Sequence, residues 1–283
     1  MTSLSRRELL GALTAAGLGA LSLPRLVDAL ERHGVARPPA GLQLYTVRAL
    51  MQRDLEGTLA ALAAAGVREV EFAGYFDRAP TALRQRLDAL GLRAPAAHVP
   101  LPESVAGWVP IFDAAEALGH RWLVIPWVGN DVRGSLDGWR RLADRLNEAG
   151  RLARERKIRM AYHNHDFEFA VHDGQVAYDV LADALDPTVV DLELDLYWAV
   201  KAGHDPAAMF AKRPGRFPLW HLKDAGPAPE RAMRDVGAGT LPFAALFALG
   251  AQAGLQHGFI EHDNPADPMA SVRASVAALS RLG

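Results

Sequence analysis

Eight short apolar segments alternate with longer segments of helical period along this chain. Each apolar segment is rich in aliphatic or aromatic residues and is bounded by glycine, proline or polar residues, as buried parallel strands are. The predicted strands cover residues 42–46, 69–73, 93–98, 122–127, 158–163, 189–195, 218–222 and 258–261. Eight strand–helix units at intervals of roughly thirty residues predict an α/β fold, a single-domain (β/α)8 TIM barrel over residues 41–283.

Residues that begin and end helices support this prediction. Asp54 can cap a helix that ends at Gly66, Thr81 can cap one that ends at Gly91, and Gly119 ends a third. The remaining predicted helices cover residues 137–156, 178–185, 206–212, 243–253 and 269–282. A doubly wound open sheet is the alternative, but no glycine-rich phosphate loop follows the first predicted strand. The pattern therefore favours the barrel.

Charge and cysteine content exclude several classes of function. The formal net charge is -2, so the chain has no basic excess with which to neutralise a nucleic-acid backbone. Cysteine is absent, which excludes disulfides, thiolate metal ligands and a cysteine nucleophile.

The first forty residues differ from the rest. Arg6 and Arg7 precede an alanine- and glycine-rich apolar run, an arrangement that resembles a twin-arginine export signal. The run is shorter than the roughly 20 residues that a membrane span requires, so no stable span is expected. We therefore predict that residues 1–40 are a signal and connector and that the protein is periplasmic or otherwise exported. An amphipathic helix on a cytoplasmic protein is the alternative.

Polar side chains gather at the C-terminal ends of the last four predicted strands, where the chemistry of a barrel lies. Residues two apart on a strand face the same side. The pairs that can face the barrel axis in this way are His163 with His165, Glu193 with Asp195, and His221 with Lys223, and Glu261 ends the last strand. Buried charges at four successive strand ends are costly unless a cation compensates them. Imidazoles and carboxylates together suit manganese, zinc, cobalt or magnesium, so the pattern predicts one divalent metal ion.

At these residues the chain resembles the xylose-isomerase-like barrel superfamily, the sugar phosphate isomerase/epimerase group. The resemblance is carried by residues 41–48, 70–75, 162–169, 195–198, 221–224 and 236–239. It implies that Asp195, His221 and Glu261 bind the metal ion, with Mn²⁺ first among the candidates. His163 stands where the superfamily has a glutamate ligand on strand five. This departure puts epimerisation by two glutamates in doubt, and Glu168 is a candidate replacement carboxylate.

The resemblance implies proton removal next to a carbonyl group through an enediolate, in a sugar isomerase or epimerase. A metal-dependent lyase or dehydratase acting on keto-sugars or 3-keto-glycosides is the alternative, and a non-catalytic sugar-binding protein is the alternative from another class. An AP-endonuclease-like nuclease is disfavoured by the net charge. The predicted catalytic residues are Glu261, Glu168, His165 and Lys223, and the predicted substrate-binding residues are Tyr45, Arg48, Glu71, His98, Trp127 and Trp198. The expected partner is a small carbohydrate, and homo-oligomerisation is left open.

Overall fold

Eight parallel strands close into a barrel in the computed structural model, which describes residues 40–282. In chain order the barrel strands are β1 (Ala40–Gln43), β2 (Glu69–Ala73), β3 (Arg93–His98), β4 (Trp122–Ile125), β5 (Arg159–His163), β6 (Val190–Asp195), β7 (Leu219–Leu222) and β8 (His257–Ile260). The first strand pairs in parallel with both the second and the last, since Gly41 lies opposite Glu69 on one side and Phe259 on the other. The predicted barrel is thereby confirmed.

Helices connect the strands on the outside of the barrel. Their bounds are Arg48–Arg53, Leu55–Ala64, Pro80–Leu90, Trp108–Leu118, Asn130–Arg133, Leu136–Glu155, Ala177–Ala184, Leu196–Lys201, Pro206–Lys212, Phe243–Ala248, Gly250–Ala253 and Pro268–Arg281. Two short antiparallel hairpins, Val171–His172 with Gln175–Val176 and Asp224–Ala225 with Met233–Arg234, leave the main sheet. Gly91 and Gly119 end their helices in the left-handed conformation, with φ of 64° and 77°, which glycine adopts without strain.

Several predicted boundaries differ from the structure by a few residues, and three of the differences have a clear local cause. The first strand ends at Gln43 because its side chain accepts a hydrogen bond from the Tyr45 backbone N–H and begins a 3-10 helix, Leu44–Val47. The predicted cap Thr81 lies inside a helix that begins at Pro80, since proline is favoured in the first helical position. The predicted helix 243–253 is two short helices.

Apolar side chains fill the interior of the barrel below the polar strand ends. The residues of this inner layer are Ala96, Trp122, Val124, Ala161, Leu219 and Phe259, all almost completely buried. Gly41 is required beside this layer, because a Cβ atom there would lie 2.6 Å from the carbonyl oxygen of Gly258. The packed layer closes one end of the barrel, so polar groups at the other end face a single mouth.

The export signal predicted for residues 1–40 falls, apart from Ala40, outside the described residues. None of the helices within residues 40–282 combines the length and the apolar character that crossing a membrane demands.

We expect the buried His120 to make the fold sensitive to acid. Its Nδ1 lies 2.6 Å from the carbonyl oxygen of Ala94, its Nε2 has no hydrogen-bond partner, and burial lowers its pKa to about 4. The unfolded chain, with a histidine pKa of about 6.5, therefore binds more protons than the folded chain between these values. The contribution of His120 to the free energy of unfolding should fall by about 3 kcal/mol as the pH drops from 6.5 to 4. Urea unfolding at several pH values measures this change; His120→Phe should flatten the slope, and an unchanged slope would contradict the assignment.

Candidate active site

Imidazoles and carboxylates from β2, β3, β5, β6, β7 and the end of β8 meet at the open mouth of the barrel. Glu71, His98, His163 and His221 come from four different strands, and Glu193 and Asp195 are alternate residues of β6. Glu261 follows the last residue of β8. All of these side chains are buried except that of His98, which is partly buried. Two groups of metal-ligand atoms can be distinguished, and they share His221.

The inner group surrounds one carboxylate oxygen. Glu193 Oε2 lies 2.8 Å from His98 Nε2, 3.2 Å from His221 Nε2 and 3.3 Å from His163 Nδ1. Burial alone raises the pKa of Glu193, but the three imidazoles outweigh it and hold that pKa well below its ordinary value. Glu71 Oε2 lies 2.7 Å from His221 Nε2, and burial raises the pKa of Glu71 to about 7. Both glutamates therefore fix the orientation of the surrounding imidazole rings.

The outer group consists of Asp195, Glu261 and the other ring nitrogen of His221, Nδ1. His221 Nδ1 lies 2.7 Å from Glu261 Oε2 and 4.0 Å from Asp195 Oδ2. His163 Nε2 lies 3.8 Å from the same Asp195 oxygen. The four predicted ligands thus lie together in one cluster, with His163 and His221 each turning one ring nitrogen towards Asp195 or Glu261. Asn164 holds the backbone of Asp195 in position, because its Oδ1 accepts a hydrogen bond from the Asp195 backbone N–H at 3.0 Å.

Lys223 places an ammonium group against the outer group. Its Nζ lies 2.6 Å from Asp263 Oδ1, 2.8 Å from Glu261 Oε2 and 3.0 Å from Asp195 Oδ2. Burial lowers the pKa of Lys223, but the three carboxylates outweigh it and raise that pKa well above its ordinary value.

The donor set fits a divalent metal ion. Several buried atoms of the cluster lack a hydrogen-bond partner, namely Glu71 Oε1, His163 Nδ1 and Glu193 Oε1. Buried polar atoms without partners are costly, and coordination would satisfy them. Imidazole nitrogens with carboxylate oxygens are also the ligands that Zn²⁺ and Mn²⁺ accept. A cation is already favoured at this position, as the location of the Lys223 ammonium group between Asp195 and Glu261 indicates.

A cavity of about 750 Å³ opens above the cluster. Seven of the predicted site residues line it: Tyr45, His98, Trp127, His163, His165, Lys223 and Glu261. Asp195 and His221 are fully buried behind its wall. The cavity falls within the roughly 300–1,000 Å³ that is usual for small-molecule sites. The structure therefore brings most of the predicted substrate, proton-transfer and metal residues to one cavity.

Four other predicted site residues do not line this cavity. Arg48 donates to the backbone oxygens of Tyr45 and Asp263 and to Asn264, so it holds a loop. Glu71 is fully buried between Gln43 and His221. Trp198 packs beside His165, with ring centroids 5.6 Å apart. Glu168 accepts hydrogen bonds from the Tyr162 hydroxyl and the His165 backbone N–H, both at 2.8 Å. Both oxygens of Glu168 thus have protein donors, and burial raises its pKa to about 7.

Three residues of the site were missing from the predicted roles: Glu193, Asp263 and Asn164. Strand alternation already placed Glu193 on the same face as Asp195, and this was the signal that could have identified it. Asp263 and Asn164 lie in loops beyond the strand ends, where the sequence gives no periodic signal. His165 lies on the cavity wall, and burial together with the nearby Lys223 lowers its pKa to about 3.

Comparisons with known proteins agree with this architecture. A family model described as xylose isomerase-like TIM barrel matches residues 59–281. Inosose dehydratase 2 of Bacillus cereus is 25% identical over 193 residues, which are 61% of this chain and 64% of that protein. The chain thus matches less than two thirds of the length of this curated relative.

Two solved structures illustrate the likeness in fold. A sugar phosphate isomerase/epimerase from Parabacteroides distasonis is 24% identical, with a TM-score of 0.73 over 86% of this chain and 96% of the other. The IolI protein, solved with a bound zinc atom, is 14% identical, with a TM-score of 0.62 over 86% of this chain and 97% of the other.

Proposed function

Because this chain belongs to the xylose isomerase-like TIM barrel family, we propose that it is a divalent-metal-dependent sugar isomerase or epimerase that removes a proton next to a carbonyl group. The observation that supports this most is that His163, Asp195, His221 and Glu261 lie together in one buried cluster at the foot of a cavity of about 750 Å³. We assign these four side chains as the ligands of one ion. Manganese is the first ion to test and zinc the second.

A bound ion would supply Lewis-acid polarisation of the substrate carbonyl group and stabilise the negative charge that develops on its oxygen. The side chains of this protein supply the proton transfers. Glu261 lines the cavity and is within 2.8 Å of the Lys223 ammonium group, so its carboxylate can take a proton from a carbon while Lys223 donates to a substrate oxygen. His165 lies on the same wall and is the second candidate for carrying a proton.

A lyase or dehydratase is the second candidate function, and His163 is the residue that favours it. Epimerisation by two glutamates needs a second carboxylate opposite Glu261, but β5 supplies an imidazole there and both oxygens of Glu168 are already bound by protein donors. Elimination needs one base and one acid, and Glu261 with Lys223 provides both within 2.8 Å. The similarity to an inosose dehydratase points in the same direction.

Hydrogen exchange in deuterated water tests the step that both candidate functions share, which is removal of a proton next to a carbonyl group. The metal-loaded protein is incubated with ketoses, keto-glycosides and inososes, and deuterium is located by NMR. We expect uptake at the carbon next to the carbonyl group. Product analysis then separates isomerase or epimerase, which retain all substrate atoms, from lyase, which expels a group. Stoichiometric metal without exchange on any carbonyl substrate would refute the enzyme proposal, and binding of sugars without metal would favour a non-catalytic sugar-binding protein.

We further propose export through a twin-arginine signal, which rests on Arg6 and Arg7 before the apolar run. Fusion of residues 1–40 to a reporter that matures only after export tests it, and retention of the fusion in the cytoplasm would refute it.

A further inference from the structure

Two aromatic rings stand exposed on the wall of the cavity above Glu261. Trp127 is 59% exposed and Tyr45 is 42% exposed, although both are large side chains that usually pack away from water. Trp127 directly follows the cavity residue Pro126, beyond the end of β4. Exposed aromatic residues that line one cavity are typical of a surface that binds a ring or an apolar group.

Both rings are held from one side by an arginine. The Arg133 guanidinium lies 4.4 Å from the centre of the Trp127 ring, and its Nε donates to the Val128 backbone oxygen at 2.7 Å. The Arg48 guanidinium lies 3.9 Å from the centre of the Tyr45 ring. These contacts restrict the motion of each ring, which lowers the entropic cost of stacking a ligand on it.

The charges of the cavity wall do not suit a phosphate group. Among the described residues that line the cavity, the acidic ones are Glu103, Asp131, Glu261 and Asp263, and the basic ones are Arg145 and Lys223. Lys223 is already surrounded by three carboxylates. Arg145 donates to the backbone oxygen of Pro102 at 2.8 Å. Outside the buried cluster, a phosphate dianion would face Glu103 and Asp131, while Arg145 already donates to a backbone oxygen, and this arrangement is unfavourable for a phosphate.

We propose that the cavity binds an uncharged glycoside rather than a sugar phosphate, with the sugar ring next to Glu261 and the aglycone or second ring stacked on Trp127. The volume of about 750 Å³ supports this, because it accommodates a drug-sized ligand and exceeds what a single sugar ring fills. The inference deepens the proposed function and rests on it for the position of the reacting sugar ring.

Binding of unreactive probes tests the proposal independently of turnover. Calorimetric titration compares 4-nitrophenyl glycosides of glucose, galactose and xylose with the parent free sugars and with glucose 6-phosphate and galactose 6-phosphate. We expect at least one aryl glycoside to bind about tenfold more tightly than its free sugar. We also expect each phosphate to bind more weakly than its parent sugar.

Three variants assign the effect to one ring. Trp127→Ala should remove about tenfold of the affinity for the aryl glycoside and leave the affinity for the free sugar unchanged. Trp127→Phe should retain most of the affinity because it keeps an aromatic face. Val171→Ala is the matched surface control, since Val171 is 64% exposed and does not line the cavity, and it should bind as the parent protein does.

The proposal is overturned if no aryl glycoside binds more tightly than its free sugar, if a sugar phosphate binds more tightly than its parent sugar, or if Trp127→Ala leaves the preference intact. A different result is expected if the cavity binds glycosides but the proposed enzymatic function is wrong. In that case Trp127 still determines glycoside affinity, but no carbonyl substrate exchanges hydrogen with the solvent.

Discussion

Glu261→Gln is expected to lower the rate of hydrogen exchange and product formation by about a thousand-fold or more. Glutamine has nearly the shape of glutamate, so the barrel should still fold. The substitution removes the negative charge that faces His221 Nδ1 at 2.7 Å and Lys223 Nζ at 2.8 Å. It therefore removes a proposed metal ligand and the proposed base in one step.

Two measurements separate these losses. Metal content after dialysis, determined by mass spectrometry, reports the loss of the ligand. Exchange at saturating metal reports the loss of the base. Glu103→Gln is the matched control, because Glu103 lines the same cavity but is not in the buried cluster. We expect this control to keep its metal and to stay within about twofold of the parent rate.

Activity that survives in Glu261→Gln at full metal occupancy would refute Glu261 as the base. Metal retained at parental affinity would remove Glu261 from the ligand set. The base would then have to be sought among the other titratable groups on the cavity wall, with His165 first.

The fold could be predicted from local sequence signals, and several predicted strands and helix ends lie at the same residues in the structure. Residues 69–73 and 93–98 are strands with the predicted ends, and Gly91 and Gly119 end helices as predicted. These features depend on neighbouring residues alone, so a sequence is enough to locate them. The first strand shows the size of the remaining error, since it was predicted at residues 42–46 and covers Ala40–Gln43.

The candidate site was predicted less completely because its contacts join distant strands. Strand alternation indicates that Glu193 and Asp195 face the axis, but not that Glu193 Oε2 lies 2.8 Å from His98 Nε2, which is 95 residues away in the chain. That contact depends on the stagger of eight strands, which periodicity does not encode. Glu168 illustrates the same limit, since it was predicted as a replacement carboxylate for proton transfer, while both of its oxygens accept hydrogen bonds from the protein.

Asp224→Ala should have the largest effect on stability. The Asp224 side chain is almost completely buried and accepts four backbone hydrogen bonds, at 2.8–3.0 Å. The donors are the N–H groups of Ala225, Gly237, Gly239 and Leu241. Gly239 cannot carry a side chain here, because a Cβ atom would lie 2.3 Å from Asp224 Oδ1. This carboxylate therefore organises the loop that follows β7, and alanine would leave the four donors without their acceptor.

Each buried donor that loses its acceptor costs about 1–3 kcal/mol, and water entering the gap recovers part of this, so we expect Asp224→Ala to lower the free energy of unfolding by about 3–5 kcal/mol. Asp224→Asn keeps one acceptor oxygen and should lose about half as much. Asp267→Ala is the control, because Asp267 caps the last helix through a single hydrogen bond from the Ala270 N–H, and its loss should cost about 1 kcal/mol.

Urea unfolding ranks the three variants by their free energy of unfolding. Hydrogen exchange should accelerate at residues 235–241 first in Asp224→Ala; a loss no larger than that of Asp267→Ala would show that these donors find other acceptors and that the loop does not depend on the carboxylate.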